Sequence, residues 1–146
     1  MNNSIPLSVP HISGNEWKYI KDCLETNWVS STGKYVDLFE NKIEDYTKAK
    51  YAIACINGTS ALHISLILSG ISRNDEVIVP TISFIAPINA INYCNAKPVF
   101  MDVDDNYTID IKKTIEFLNT KTIFKNGTTI NKKTKRKISA IIVVHV

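Results

Sequence analysis

Cysteine is scarce and poorly placed for pairing. The 146 residues contain three, Cys23, Cys55 and Cys94, an odd and widely spaced set with no CxxC pair. That set argues against a disulfide framework and against a zinc site. Long apolar runs are also missing, since no stretch approaches the roughly 18–20 residues a membrane span requires. The opening MNNSIPLSVP has neither the basic region nor the apolar core of a secretion signal. A reducing cytoplasm, with no membrane partner, is the expected location. Excess charge is small, with 17 Lys and Arg against 14 Asp and Glu for a net +3. Such a balance does not predict a nucleic-acid partner. No Gly-Lys-Ser/Thr stands at the spacing of a nucleotide P-loop, which disfavours that motif.

What remains is an ordinary globular balance, 45% hydrophobic and 21% charged, in a chain long enough for one domain with a real core. Ser13 followed by Glu16 is a capping-box pattern that predicts a helix from about Gly14 to Asn27. A Ser/Thr/Gly break at residues 30–33 precedes a second helix, with Val36, Phe39, Ile43 and Tyr46 at near-helical spacing. YAIACI (51–56) reads as a short apolar strand, and Ala61 to Leu68 as a mostly apolar helix stopped near Gly70. EVIVP (76–80) predicts a strand ended by proline, with a helix from Phe84 to Tyr93 behind it. KPVFMDV (97–103) predicts a further strand, and Asp110 N-caps a helix reaching Asn119. Residues 122–137 read as a polar excursion around an Asn126-Gly127 hairpin turn. ISAIIVVHV (138–146) closes the chain as an apolar run of the kind buried on both faces of a parallel sheet.

Strands alternating with helices predict an α/β fold with a mostly parallel sheet, flanking helices and right-handed crossovers. The chain ends inside an apolar strand without a turn or polar tail, so the expectation is an N-terminal fragment of a larger protein. Two regions are expected: residues 1–50 as a helical segment and 51–146 as an incomplete α/β domain.

Asn57-Gly58-Thr59-Ser60 falls between a predicted strand and a helix, where free backbone N–H groups and the helix dipole can receive an anion. The same tetrapeptide also reads as a simple turn with an N-cap. Phe84 follows the strand 76–80 and so falls where open α/β sheets bind ligands, beyond the strand carboxyl ends. An aromatic there can cover a flat heteroaromatic ring, or simply belong to the core. Together, a phosphate-type turn after one strand and an aromatic after the next would suit a phosphorylated planar cofactor.

Five blocks, IPLSVPHISGNEW, NWVSSTGKYVDLFE, YAIACINGTSALHISL, DEVIVPTISFIAPINAI and AKPVFMDVDD, resemble in order and spacing the opening of the DegT/DnrJ/StrS sugar aminotransferases. NKKTKRKISAIIVVHV is similar to a LegC-type subgroup, whose members act on a 4-keto UDP-N-acetylamino sugar on the way to legionaminic acid. The resemblance implies the N-terminal portion of the large domain of the fold type I pyridoxal-phosphate enzymes. It also implies transfer of an amino group from L-glutamate to a nucleotide-linked deoxysugar, in a homodimer. By that resemblance Gly58, Thr59 and Ser60 match the turn that binds the cofactor phosphate, and Phe84 matches the aromatic stacked on the pyridine ring. The anchoring lysine and the aspartate that pairs with the pyridine nitrogen are expected after Val146, so no catalytic residue is assigned within the chain. A sugar dehydratase of the same fold, with histidine in place of that lysine, and a non-catalytic truncated binding module are the alternatives.

Other candidates carry plainer expectations. His145, at the end of the last strand, reads first as a partly buried structural histidine and otherwise as a residue facing the active-site crevice. Asp102 could imitate a cofactor-pairing carboxylate, but reads first as a strand-end hydrogen-bond acceptor for a nearby turn. Trp28 and Tyr35 flank the Ser/Thr-rich break and suit core packing as well as sugar or subunit contacts. Lys132, Lys133, Lys135, Arg136 and Lys137 read first as a solvated basic loop and otherwise as a cluster that attracts a nucleotide diphosphate or RNA.

Overall fold

The computed structural model describes residues 5, 6 and 8–145; Val146, the last residue of the predicted final strand, lies outside them. The chain divides into two compact units, one up to Ala54 and the other from Cys55 onward.

The first unit holds two amphipathic helices, α1 (Glu16–Glu25) and α2 (Lys34–Thr47), neither of which buries a residue fully. The predicted capping box does not form. Asn15 occupies the N-cap without a side-chain bond, and Ser13 Oγ instead meets His11 Nε2 at 2.6 Å. Glu16 accepts the Gly14 N–H at 2.8 Å in place of the Ser13 N–H that the motif would use. Beyond α2, Tyr51 to Ile56 is not a strand, contrary to expectation. The N–H groups of Ala52 and Ala54 are taken by the carboxylates of Glu44 (3.0 Å) and Glu40 (2.7 Å) on α2. Alternate residues of an extended segment donate from the same edge, so two carboxylates stand where a neighbouring strand would.

The second unit is a three-layer α/β arrangement. Its helices are α3 (Gly58–Leu68), α4 (Ile85–Tyr93) and α5 (Ile111–Lys121). Its strands are β1 (Glu76–Pro80), β2 (Lys97–Met101), β3 (Thr122–Lys125), β4 (Thr128–Asn131) and β5 (Lys137–Ile141). The sheet order is β2-β1-β5-β4-β3, with β1 parallel to both β2 and β5. The stretch expected as a polar excursion supplies two strands, because Asn126 (φ 51) and Gly127 (φ 72) make a two-residue turn with both φ positive. That turn matches the twist of a hairpin, and β4 then pairs antiparallel with β5. The result is a parallel centre carrying an antiparallel flank.

Burial follows the sheet. Every residue of β1 is buried, as a central strand covered on both faces requires. On one face Val77 and Val79 pack with Leu66, Ala90 and Ile91 of α3 and α4; on the other Ile78 packs with Met101 and Ile109, with Phe117 and Leu118 of α5 against them. Ser139 is an extra residue in the β1–β5 register, where Glu76 faces Ile138 and Val77 faces Ala140. Its hydroxyl donates to Asp75 Oδ2 at 2.7 Å, which satisfies the bulged residue.

The connections aim the helices. Only residues 69–75 separate α3 from β1, and only 81–84 separate β1 from α4. With both helices packed on β1, such short links make them run antiparallel to the strand. The amino ends of α3 and α4 therefore lie at the carboxyl end of β1, where open α/β sheets receive ligands.

Candidate functional site

At the amino end of α3, Asn57 is extended and its side-chain oxygen accepts the Ser60 N–H at 2.9 Å. The Asn57 carbonyl takes the Ala61 N–H at 3.1 Å. Of the four N–H groups that a helix start leaves over, the Ser60 N–H is thereby satisfied by the Asn57 side chain, while the Ala61 N–H makes the first regular helix bond. Those of Gly58 and Thr59 meet no acceptor among the described residues, and neither do the Thr59 and Ser60 hydroxyls. A Cβ placed on Gly58 would meet nothing within 4 Å, so packing does not explain the glycine. What its missing side chain does is leave the backbone open to close approach. A phosphate group suits this donor set: free N–H groups, hydroxyls and the positive end of a helix dipole.

Phe84 is the N-cap residue of α4, and its ring is 88% exposed. The core role that an aromatic at this position could also fill is not seen among the described residues, where Phe84 stays exposed. With Ile82, Ser83, Val144 and His145 it lines a largely apolar pocket of ≈ 260 Å³. Those residues follow β1 and β5, neighbouring parallel strands held together there by the Ile142 N–H donating to the Ile78 carbonyl at 2.8 Å. His145 was expected to be partly buried and structural, but it is exposed and has no hydrogen-bond partner among the described residues. The reason is that β5 ends at Ile141 and the bond from the Ile142 N–H is the last to β1 among the described residues, so the histidine lies beyond the paired stretch.

The remaining candidates fall elsewhere. Asp102 follows β2, receives the Val103 N–H at 2.9 Å and is bridged by Lys113 of α5. The hydrogen bond from Lys113, helped by that from Val103, holds its carboxyl below the usual carboxylate range. This is the strand-end acceptor expected of it, with a lysine partner that the sequence reading did not name. The basic cluster is partly consumed within the fold: Lys132 Nζ donates to the Thr120 carbonyl at 2.9 Å, and Lys137 lies 3.8 Å from Asp75.

In the first unit, Trp28 and Tyr35 come together with Cys23, Thr26, Gly33 and Lys34 around a separate apolar pocket of ≈ 260 Å³. Trp28 is about half exposed, and its Nε1 donates to the Thr32 carbonyl at 2.7 Å. A Cβ on Gly33 would lie 1.8 Å from that nitrogen, and its φ of +135 also demands glycine. Asp22, which sequence reasoning missed, accepts from Lys34 at 2.6 Å and from the Tyr35 hydroxyl at 2.8 Å. The Lys34 hydrogen bond, then that from Tyr35, lowers the Asp22 pKa, while Asp22 raises both partners. The i, i+12 and i+13 spacing across a helix break carries no periodic signal that would have revealed this triad.

Comparison with known proteins agrees with this layout. A GDP-perosamine synthase from Vibrio cholerae is 40% identical over 142 residues, which is 97% of this chain and 35% of that protein. A UDP-4-amino-4-deoxy-L-arabinose–oxoglutarate aminotransferase from Shewanella sediminis is 34% identical over 111 residues, 75% of this chain and 28% of that protein. A Streptococcus pneumoniae protein solved in its PLP form superposes with a TM-score of 0.70 at 28% identity, over 77% of this chain and 29% of that one. The chain thus spans about a third of the length of the curated relatives it matches. No helix among the described residues is long and apolar enough to cross a membrane. Residues 10–146 match the DegT/DnrJ/EryC1/StrS aminotransferase family, and the chain belongs to it.

Proposed function

We propose that this chain supplies the cofactor-seating part of a pyridoxal-phosphate-dependent sugar aminotransferase. The observation that carries the reading is the pairing, at one end of one sheet, of an open helix start at Gly58–Ser60 with an exposed aromatic at Phe84. The N–H groups of Gly58 and Thr59, with the Thr59 and Ser60 hydroxyls, would hold the cofactor phosphate. Phe84 would pack on one face of the pyridine ring and keep water from it. When bound, the cofactor supplies an electron-withdrawing ring that stabilises charge developing beside the transferring nitrogen. The lysine that anchors it and the aspartate that pairs with its ring nitrogen would belong to the part of the relatives' length that this chain does not span. The chain's own part is therefore binding and orientation, with the proton steps left to those residues.

The donor and acceptor follow the family. L-Glutamate would give up its amino group and leave as 2-oxoglutarate, a reading supported by the oxoglutarate in the name of the Shewanella relative. The acceptor would be the C4 ketone of a nucleotide-linked deoxysugar. Resemblance to the LegC-type subgroup favours a UDP-N-acetylamino sugar, whereas the Vibrio relative's name favours a GDP-linked one. A homodimer in the cytoplasm completes the proposal.

Titration of the chain with pyridoxal 5′-phosphate tests the seat. Saturable binding should appear, with inorganic phosphate competing for it. It should fall in Thr59→Ala/Ser60→Ala and in Phe84→Ala, and borohydride should leave no adduct on any lysine of the chain. Binding indifferent to both sets of substitutions would defeat the assignment. In the holoenzyme, offering UDP- and GDP-linked 4-keto sugars with L-glutamate and following 2-oxoglutarate decides the acceptor.

A further inference from the structure

Resting on that reading of Phe84, we infer that His145 is a second ligand-contacting residue of the same pocket, presenting its imidazole to a polar atom on the edge of the planar ring. The argument is one of topology first. Strands β1 and β5 are parallel neighbours, with Ile78 opposite Ile141, so the segments that leave their carboxyl ends emerge side by side. Phe84 lies four residues beyond the end of β1, and His145 four beyond the end of β5. Both line one pocket whose other walls, Ile82, Ser83 and Val144, are mostly apolar.

The chemistry complements the geometry. Phe84 offers a ring face with no hydrogen-bonding capacity, which suits stacking but fixes neither the rotation nor the tilt of a flat ligand. An imidazole carries one donor and one acceptor in its neutral form and can fix both. His145 is free to do so, being exposed and bonded to nothing among the described residues. An exposed, unbonded histidine also contributes little to stability, so its substitution separates a ligand role from a structural one.

The test uses the holoenzyme with His145→Ala and His145→Gln, reading the affinity for pyridoxal 5′-phosphate, the visible absorption of the bound cofactor and the thermal melt. The alanine variant should bind about tenfold more weakly, the value of one hydrogen bond to a ligand of this kind. Its absorption band should shift, glutamine should restore part of both losses, and neither variant should melt differently from the parent. Unchanged affinity and absorption in both variants, while Thr59→Ala/Ser60→Ala still abolishes binding, overturns the inference and leaves the phosphate seat standing. A parent protein that fails to bind the cofactor at all overturns both. A lowered melting temperature with unaltered absorption would assign His145 a structural role and also refute the proposal.

Discussion

The two ends of β1 differ in how completely the chain satisfies them. At the amino end Asp75 Oδ2 receives the Ser72 N–H at 3.0 Å and the Ser139 hydroxyl at 2.7 Å, while Glu76 receives the Asn131 side-chain N–H at 2.8 Å. Asp75, Glu76 and Asn131 are all buried, and no buried side-chain polar atom of the described residues lacks a partner. At the carboxyl end, among the described residues, the N–H groups of Gly58 and Thr59 meet no acceptor and His145 has no hydrogen-bond partner, while Phe84 is exposed. Stability is concentrated at one end and unsatisfied recognition capacity at the other. Substitutions should separate along the same line.

The largest effect belongs to the middle of the strand. Ile78 is fully buried between the sheet and α5, and Ile78→Ala removes its packing and leaves a cavity. A loss of about 2–5 kcal/mol is expected in a urea titration, enough to unfold much of a marginal domain. Next comes the amino end. Asn131→Ala deprives the buried Glu76 carboxylate of its amide donor, and about 1–3 kcal/mol should be lost. The comparison breaks if that variant is as stable as the parent.

At the carboxyl end the same measurement should find almost nothing. Phe84→Ala removes a ring that is 88% exposed, so its stability should stay within about 0.5 kcal/mol of the parent. Gly58→Ala should be neutral or slightly stabilising, by about 0.4–1 kcal/mol, because its Cβ meets open space and the unfolded chain loses freedom. Yet both should weaken pyridoxal phosphate binding, the first by removing the ring face and the second by putting a methyl where the phosphate must approach. A stability loss in either variant above that of Asn131→Ala would remove the distinction between the two ends.

How much of this could be read in advance depended on whether the signal was local. Asp110 acts as the N-cap of α5, accepting the Lys113 N–H at 3.0 Å, because a cap needs only its own next three residues. Asn126-Gly127 makes its turn for the same reason. The strand expected at 51–56 does not form, and two glutamates from α2, distant in sequence, take the Ala52 and Ala54 N–H groups. Glu76 with Asn131, 55 residues apart, and Asp75 with Ser139, 64 apart, left no pattern to read. Gly58 and Phe84 read as one site from an expected strand before each; the strand before Gly58 does not form, and their pairing remains a proposal. The partial burial expected of His145 does not occur, because its exposure depends on where β5 stops, and an apolar run does not mark its own last paired residue.

The smallest predicted effect sharpens the contrast at the carboxyl end itself. Asp102 also lies beyond a strand at that end, but Lys113 and the Val103 N–H already engage its carboxylate. Its pKa is therefore depressed, with the Lys113 hydrogen bond the leading cause. A depressed folded-state pKa means that the contribution is present above the unfolded value and is lost as pH falls through the folded one. Because the pair is solvent-exposed, the change should be slight and should shrink further with added salt. In Lys113→Met the Asp102 carboxyl, followed by NMR, should titrate at higher pH than in the parent. Cofactor affinity in that variant should not move, since a carboxylate already committed to a lysine is not waiting for a ligand. If affinity fell with Lys113, Asp102 would join the binding surface, and the unsatisfied end of β1 would extend across the end of β2.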